Sequence, residues 1–169
     1  MEYFQRLGGN IRALAAVHDI LTDQARRDAD ANHLSARATL TKLIGLIQQA
    51  AGDRRIETYL DDAWLSARQA SSLAIVVNEF LTNALKHGKG EAGIRFLVEE
   101  NLATLEILDN GPGFGDRFDP RLAANTGLEL VEHISRYDLH ATICYSNRPA
   151  GGGCVSVVIP LSANNMPLQ

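Results

Sequence analysis

The chain has 169 residues, 46% of them hydrophobic and 21% charged, with a formal net charge of −4. That length suits one compact domain plus a helical appendage, with enough apolar residues for a real core. No basic run exists to bind nucleic acid or an anionic membrane, and no apolar stretch is long enough to cross a bilayer. The N-terminus lacks a signal-peptide core, because Glu2, Arg6 and Arg12 flank no apolar segment. A cytoplasmic location is expected, as the soluble portion of a larger sensory protein or alone. Cys144 and Cys154 show no zinc-type spacing, and in neighbouring strands of a cytosolic sheet they are expected to be buried free thiols.

Residues 3–27 read as a helix, with Leu7, Ile11, Leu14, His18 and Leu21 forming a heptad-like seam suited to a hairpin or two-chain bundle. His18 lies in that apolar seam, so a structural histidine is the better reading, despite the acid at Asp19. The stretch from Asp28 to Asn32 breaks the pattern and supplies polar cap residues, dividing an appendage at 1–30 from a domain at 31–162. A second helix is expected at about 33–51, with Leu40, Leu43, Ile44 and Ile47 buried. A short strand at 55–60 follows, then a turn at 61–66 in which Trp64 plugs the end of the core.

The principal helix is expected over 67–87. Leu73, Val77, Leu81, Ala84 and Leu85 give it one apolar stripe. Glu79 and Asn83, four apart, share a face, and Lys86 and His87 follow one turn later. A carboxylate, an amide oxygen, an ammonium and an imidazole together suit a magnesium-bound phosphate chain, since Mg²⁺ takes few protein oxygens and keeps water and phosphate for the rest. The carboxylate one turn away can orient or deprotonate a nucleophile. An amphipathic helix with a solvated polar face is the bland alternative.

Beyond the glycines at 88, 90 and 93, alternating residues predict strands at 94–99 and 102–108, turning at Glu100-Asn101. Asp109-Asn110-Gly111-Pro112-Gly113 then closes the second strand. A carboxylate at that place can accept a hydrogen bond from an exocyclic amine, while Gly111 and Gly113 let the backbone turn and a planar base approach. An ordinary loop is the alternative. Residues 115–126 are polar and irregular. Thr126-Gly127 opens a helix to residue 137, whose free N–H groups suit a triphosphate. Strands at about 139–146 and 154–161, joined by Gly151-Gly152-Gly153, complete the unit before a frayed tail at 163–169. These elements make an α/β two-layer sandwich, a mixed β-sheet covered on one face by helices.

The ordered stretches Asn-Glu-Phe-Leu-Thr-Asn-Ala-Leu-Lys-His-Gly (78–88), Asp109 to Gly113 and Gly127-Leu128-Glu129-Leu130 resemble the N, G1 and G2 boxes of the ATPase family that joins sensor histidine kinases with gyrase and MutL. Within it they look most like the short-lid kinases related to the HWE type. The resemblance covers about residues 34–161 and implies the Bergerat-type ATPase fold. It implies ATP and Mg²⁺ as cofactors, Mg²⁺ on Asn83, and Glu79 acting on an acceptor imidazole. It also implies phosphate contacts from Lys86 and His87, nucleotide contacts from Asp109, Gly111, Gly113, Thr126, Gly127 and Leu128, and Ser156 on the last strand facing the base. Residues 115–125 match the ATP lid. The expected partners are a response-regulator receiver domain and a second copy in the intact kinase, with no nucleic acid and no direct membrane contact.

Two departures stand out. The first appendage helix matches the second helix of the dimerisation hairpin, and the helix carrying the phosphoacceptor histidine is absent. Glu129 stands where the family usually has glycine, which weakens phosphate approach if its side chain points inward. An adaptor that keeps the fold without ATP turnover, and a serine kinase of an anti-sigma switch, therefore remain alternatives to the catalytic domain of a histidine kinase.

Overall fold

The computed structural model describes residues 33–116, 118–120 and 126–162, together with the single positions 15 and 19. The expected appendage helix, His18 in its seam, most of the lid and the tail lie outside the described residues.

The order is β1 (Leu34–Ser35), α1 (Ala36–Ala50), β2 (Ile56–Leu60), β3 (Trp64–Leu65), α2 (Ala67–His87), β4 (Ala92–Glu99), β5 (Leu102–Asp109), α3 (Thr126–Tyr137), β6 (Thr142–Asn147) and β7 (Gly153–Pro160). Five strands form one sheet in the order β2-β4-β5-β7-β6. β2 runs parallel to β4 and the other neighbours are antiparallel, which makes the sheet mixed. The parallel step is made by α2, which leaves β3 and returns the chain to β4 on the helix side of the sheet.

Strand alternation assigns the two faces. Ile94, Phe96, Ala103, Leu105, Ile107, Val155, Val157 and Ile159 are buried beneath the helices. Their neighbours Arg95, Thr104, Glu106 and Ser156 point to the other face, which no described helix covers. The expected two-layer sandwich is therefore the observed one. Helix α2 packs on β4 and β5, with α1 on one flank and α3 on the other. That central position explains why its apolar arc is broad, with Leu73, Ala74, Val76 and Val77 all buried in succession.

Local chemistry sets the boundaries. Helix α1 starts at residue 36, three residues later than expected, because Leu34 and Ser35 pair with Leu65 and Trp64. Ser35 then caps the helix, accepting from the Ala38 N–H at 3.0 Å and donating to Asp62 at 2.8 Å. Helix α2 begins with a full capping box between Ser66 and Gln69. The expected role of Trp64 moves one residue along: in the short strand Leu65 turns inward and is 2% exposed, and Trp64 is only half-buried. Strand β6 starts at residue 142, later than expected, since His140 adopts a left-handed turn with φ of 51°. The thiols are free, as expected, but not buried. Cys144 is exposed and Cys154 half-buried, because both alternate onto the uncovered face.

Candidate functional site

The C-terminal half of α2 and the end of β5 meet at a cleft of about 370 Å³, within the range of small-molecule pockets. Successive turns of α2 supply Phe80, Asn83, Ala84 and His87 to its wall. Asn83 donates from Nδ2 to Glu79 Oε1 at 3.2 Å, which orients both side chains and leaves the Asn83 carbonyl oxygen available. Glu79 sits one turn back, half-buried, against the start of α3. A Cβ on Gly127 would lie 2.9 Å from Glu79 Oε2 and overlap Oε1, so any larger residue there would push the Glu79 carboxylate aside. Lys86 is exposed and does not line the cleft.

Asp109 lies across from these groups. Its Oδ1 accepts from the Gly111 N–H at 2.7 Å, closing the turn, and no described group donates to Oδ2. Four glycines pack around this residue. A Cβ at Gly88 would come 2.8 Å from the Asp109 Cβ, one at Gly111 2.8 Å from Oδ1, and one at Gly153 2.7 Å from Oδ2. At Gly152 it would collide with the Asp109 backbone. Arg148 finishes the enclosure, donating to the Asp109 carbonyl at 3.0 Å and to Asn110 Oδ1 at 2.8 Å. The carboxylate is therefore held by its surroundings with one oxygen unspent.

The glycine turn is fixed from β6. Asn147 accepts from the Phe114 N–H at 2.6 Å and donates to the Phe114 carbonyl at 2.9 Å. Gly113, with φ of 75°, takes a conformation that suits glycine, and a Cβ there would be 2.5 Å from Asn147 Oδ1. The floor is Ile107 and Val155, and Leu128 closes the side next to α3. Phe114, Phe118 and Tyr145 are mutually packed, with ring centroids 4.6 to 5.6 Å apart. Burial, with the negative charge of Glu132 adding to it, pushes the Tyr145 phenol up to about 12.

The fold thus brings Asn83, His87, Asp109, Gly113 and Leu128 to one cleft, with Gly111 behind Asp109 and Glu79 and Gly127 adjoining it. Only the backbone of Thr126 is described, at the first residue of α3. Lys86 and Ser156 are the exceptions, and Ser156 lies on the wrong face altogether. Its neighbour Val155 lines the cleft, so the two-residue period of β7 sends Ser156 to the uncovered face, between Glu106 and Cys144. Glu129 is exposed and is not among the lining residues. The sequence reading missed Phe80, Tyr145, Asn147 and Arg148. Only Phe80 carried a local signal, three residues before Asn83 on the same helix.

A family model described as "Histidine kinase-, DNA gyrase B-, and HSP90-like ATPase" matches residues 68–163, more than half of the chain and all of the elements that frame the cleft. The chain belongs to this ATPase family. This is a family of ATP-binding domains, which makes ATP the nucleotide of this chain. Among similar proteins, the "Probable sensor histidine kinase HK" of Mycobacterium tuberculosis is 30% identical, over 88% of this chain and 44% of that protein. The sensor histidine kinase PdtaS of Mycolicibacterium smegmatis is 22% identical, over 94% of this chain and 33% of its own length. The chain spans less than half the length of these relatives. Among solved structures, the histidine kinase domain of the blue-light activated histidine kinase EL346 from Erythrobacter litoralis superposes with a TM-score of 0.79 at 20% identity, covering 90% of this chain and 75% of that one. The ATP binding domain of PrrB from Mycobacterium tuberculosis gives 0.67 at 18% identity, covering 79% and 100%. At these identities the likeness is one of fold.

Proposed function

We propose that the chain is the ATP-binding catalytic part of a two-component sensor histidine kinase, which passes the γ-phosphate of ATP to a histidine and thence to an aspartate of a receiver domain. The observation that carries this reading is the pairing of the unspent Asp109 carboxylate oxygen with Asn83 and His87 across one cleft. Asp109 Oδ2 accepts from the exocyclic amine of the base. His87, with Lys86 nearby, meets the phosphates, and the N–H groups at the start of α3, through Gly127 and Leu128, face the same charge. Glu79, held by Asn83, positions or deprotonates the incoming imidazole.

The donor set also suits Mg²⁺. Asn83 offers a neutral oxygen, and among the described residues no group of three or more His, Cys, Asp or Glu could hold a metal by itself. An ion here would share its shell with phosphate and water, and would neutralise charge on the transferred group. Residues 1–30 would belong to the dimerisation region, residues 31–162 would be the catalytic domain, and the intact kinase would pair with a second copy in the cytoplasm. The exposure of Glu129 removes one of the two sequence arguments for an adaptor without turnover.

Calorimetric titration with ATP, with and without Mg²⁺, tests the reading. The expected result is binding strengthened by Mg²⁺ in the parent. In Asn83→Ala, the affinity with Mg²⁺ should fall to that measured without it. No binding by the parent would overturn the proposal.

A further inference from the structure

Among the described residues, two buried side-chain polar atoms have no hydrogen-bond partner: Ser135 Oγ in α3 and the Tyr145 hydroxyl in the cleft wall. Ser135 lines neither of the two described cavities, whereas Tyr145 is part of the cleft wall, its hydroxyl buried at that wall. Its ring is fully accounted for by packing, edge-on to Phe80 at 6.1 Å and to Phe114 at 5.6 Å, with Phe118 at 5.3 Å. Phenylalanine would keep each of those contacts and bury no unmet hydroxyl. The oxygen is thus desolvated without compensation from the protein, at a position that lines the nucleotide cleft.

Position also favours a ligand as its partner. Asp109 and Tyr145 stand on the helix-covered face of β5 and β6, with β7 between them carrying Val155 as the floor. Ile107, Val155 and Tyr145 are level across the three strands, so Asp109 stands two strands over and two residues along from Tyr145, and the two side chains bracket the cleft diagonally at a separation of roughly 12 Å between their strand positions. The two sides are chemically opposite. Asp109 presents an acceptor for the exocyclic amine, and a phenol held protonated presents a donor. What a purine offers away from its amine is a ring nitrogen, an acceptor without hydrogen.

We propose that Tyr145 determines base specificity in this cleft, its hydroxyl donating a hydrogen bond to a ring nitrogen of the bound purine. This rests on the ATP-binding reading above. In the present structure that hydroxyl is buried and Phe114 and Phe118 pack against the Tyr145 ring, so the proposed bond requires the Phe118 ring to give way to the base.

The experiment compares the parent with Tyr145→Phe, measuring dissociation constants for ATP and for analogues in which one ring nitrogen at a time is replaced by C–H. Thermal unfolding without nucleotide is recorded for both proteins. Tyr145→Phe is expected to bind ATP about 5- to 10-fold more weakly. One analogue should show a similar loss against the parent and none beyond it against Tyr145→Phe, the mark of a shared contact. The unliganded melting midpoint should be unchanged or higher. Equal ATP affinity in the two proteins overturns the proposal, as does a uniform loss across all analogues. A new bond to Glu132 on α3 would appear as lowered stability of Tyr145→Phe with unchanged ATP affinity, and that too overturns it. Failure of the parent to bind ATP removes the functional reading itself, whereas tight parent binding beside an unaffected variant removes only this inference.

Discussion

At its N-terminal end, α2 has its polar groups occupied by the protein. Ser66 and Gln69 bond reciprocally, at 3.2 and 3.1 Å, and Ser72 donates to Asp138 at 2.9 Å. Arg68 donates to the same carboxylate from Nε at 3.0 Å. At its C-terminal end, 11 to 15 residues on from Ser72, Asn83 makes one bond to its own helix and His87 makes none to a described residue. Both face the cleft. One helix thus anchors the fold with the first half of its polar groups and leaves the second half for a ligand. Stability and binding should therefore separate along its length.

Substitutions at either end can break that separation. The largest effect is expected at the cleft, in Asp109→Asn. The amide keeps an oxygen for the Gly111 N–H but turns the unspent acceptor into a donor, so ATP affinity should fall about 30-fold, near 2 kcal/mol. Calorimetry should find this with an almost unmoved melting midpoint, and a large drop in midpoint would show that Asp109 serves the fold first. Ser66→Ala comes next. Loss of the cap should cost about 1 kcal/mol in urea unfolding and leave the ATP dissociation constant alone. Weakened ATP binding there would mean that the two ends are coupled.

The smallest effect belongs to Asp138→Asn. The bonds from Arg68 and then Ser72 hold the Asp138 carboxyl below its ordinary value of 3.8. A depressed carboxylate stabilises the fold above that ordinary value, and the contribution is lost as pH falls through the folded one. Arg68 is largely exposed, so the gain at neutral pH should stay below about 1 kcal/mol. Melting curves of parent and variant should differ slightly at pH 7 and converge in acid. A gap that widened on acidification would contradict this account.

The parts legible in the sequence were those whose geometry is local. The 3.6-residue period of α2 places Glu79, Asn83 and His87 on one face whatever surrounds them, and the bounds of the helix came out as expected. The order of the glycine boxes carried the fold. Short strands were less readable, because their faces depend on pairing partners elsewhere in the chain. Ser156 was assigned the wrong side for that reason, Trp64 was read in a turn rather than in the two-residue strand that pairs with β1, and the exposure of Cys144 follows from its register. The setting of Asp109 was not local either. Arg148 reaches it from 39 residues downstream and Gly152 and Gly153 from beyond that, so Gly151-Gly152-Gly153 read as a mere turn. The tie between Arg68 and Asp138 spans 70 residues and left no trace in periodicity.

The double grip of Asn147 on Phe114 decides where this cleft can give way. With both backbone polar groups of Phe114 engaged, the loop between β5 and that residue is bolted to β6 and cannot swing as a flap. Just beyond it, the Gly115 carbonyl accepts from the Phe118 N–H at 2.8 Å, with open space on the Gly115 side-chain side. Displacing this part of the cleft wall must therefore break both bonds between Asn147 and Phe114.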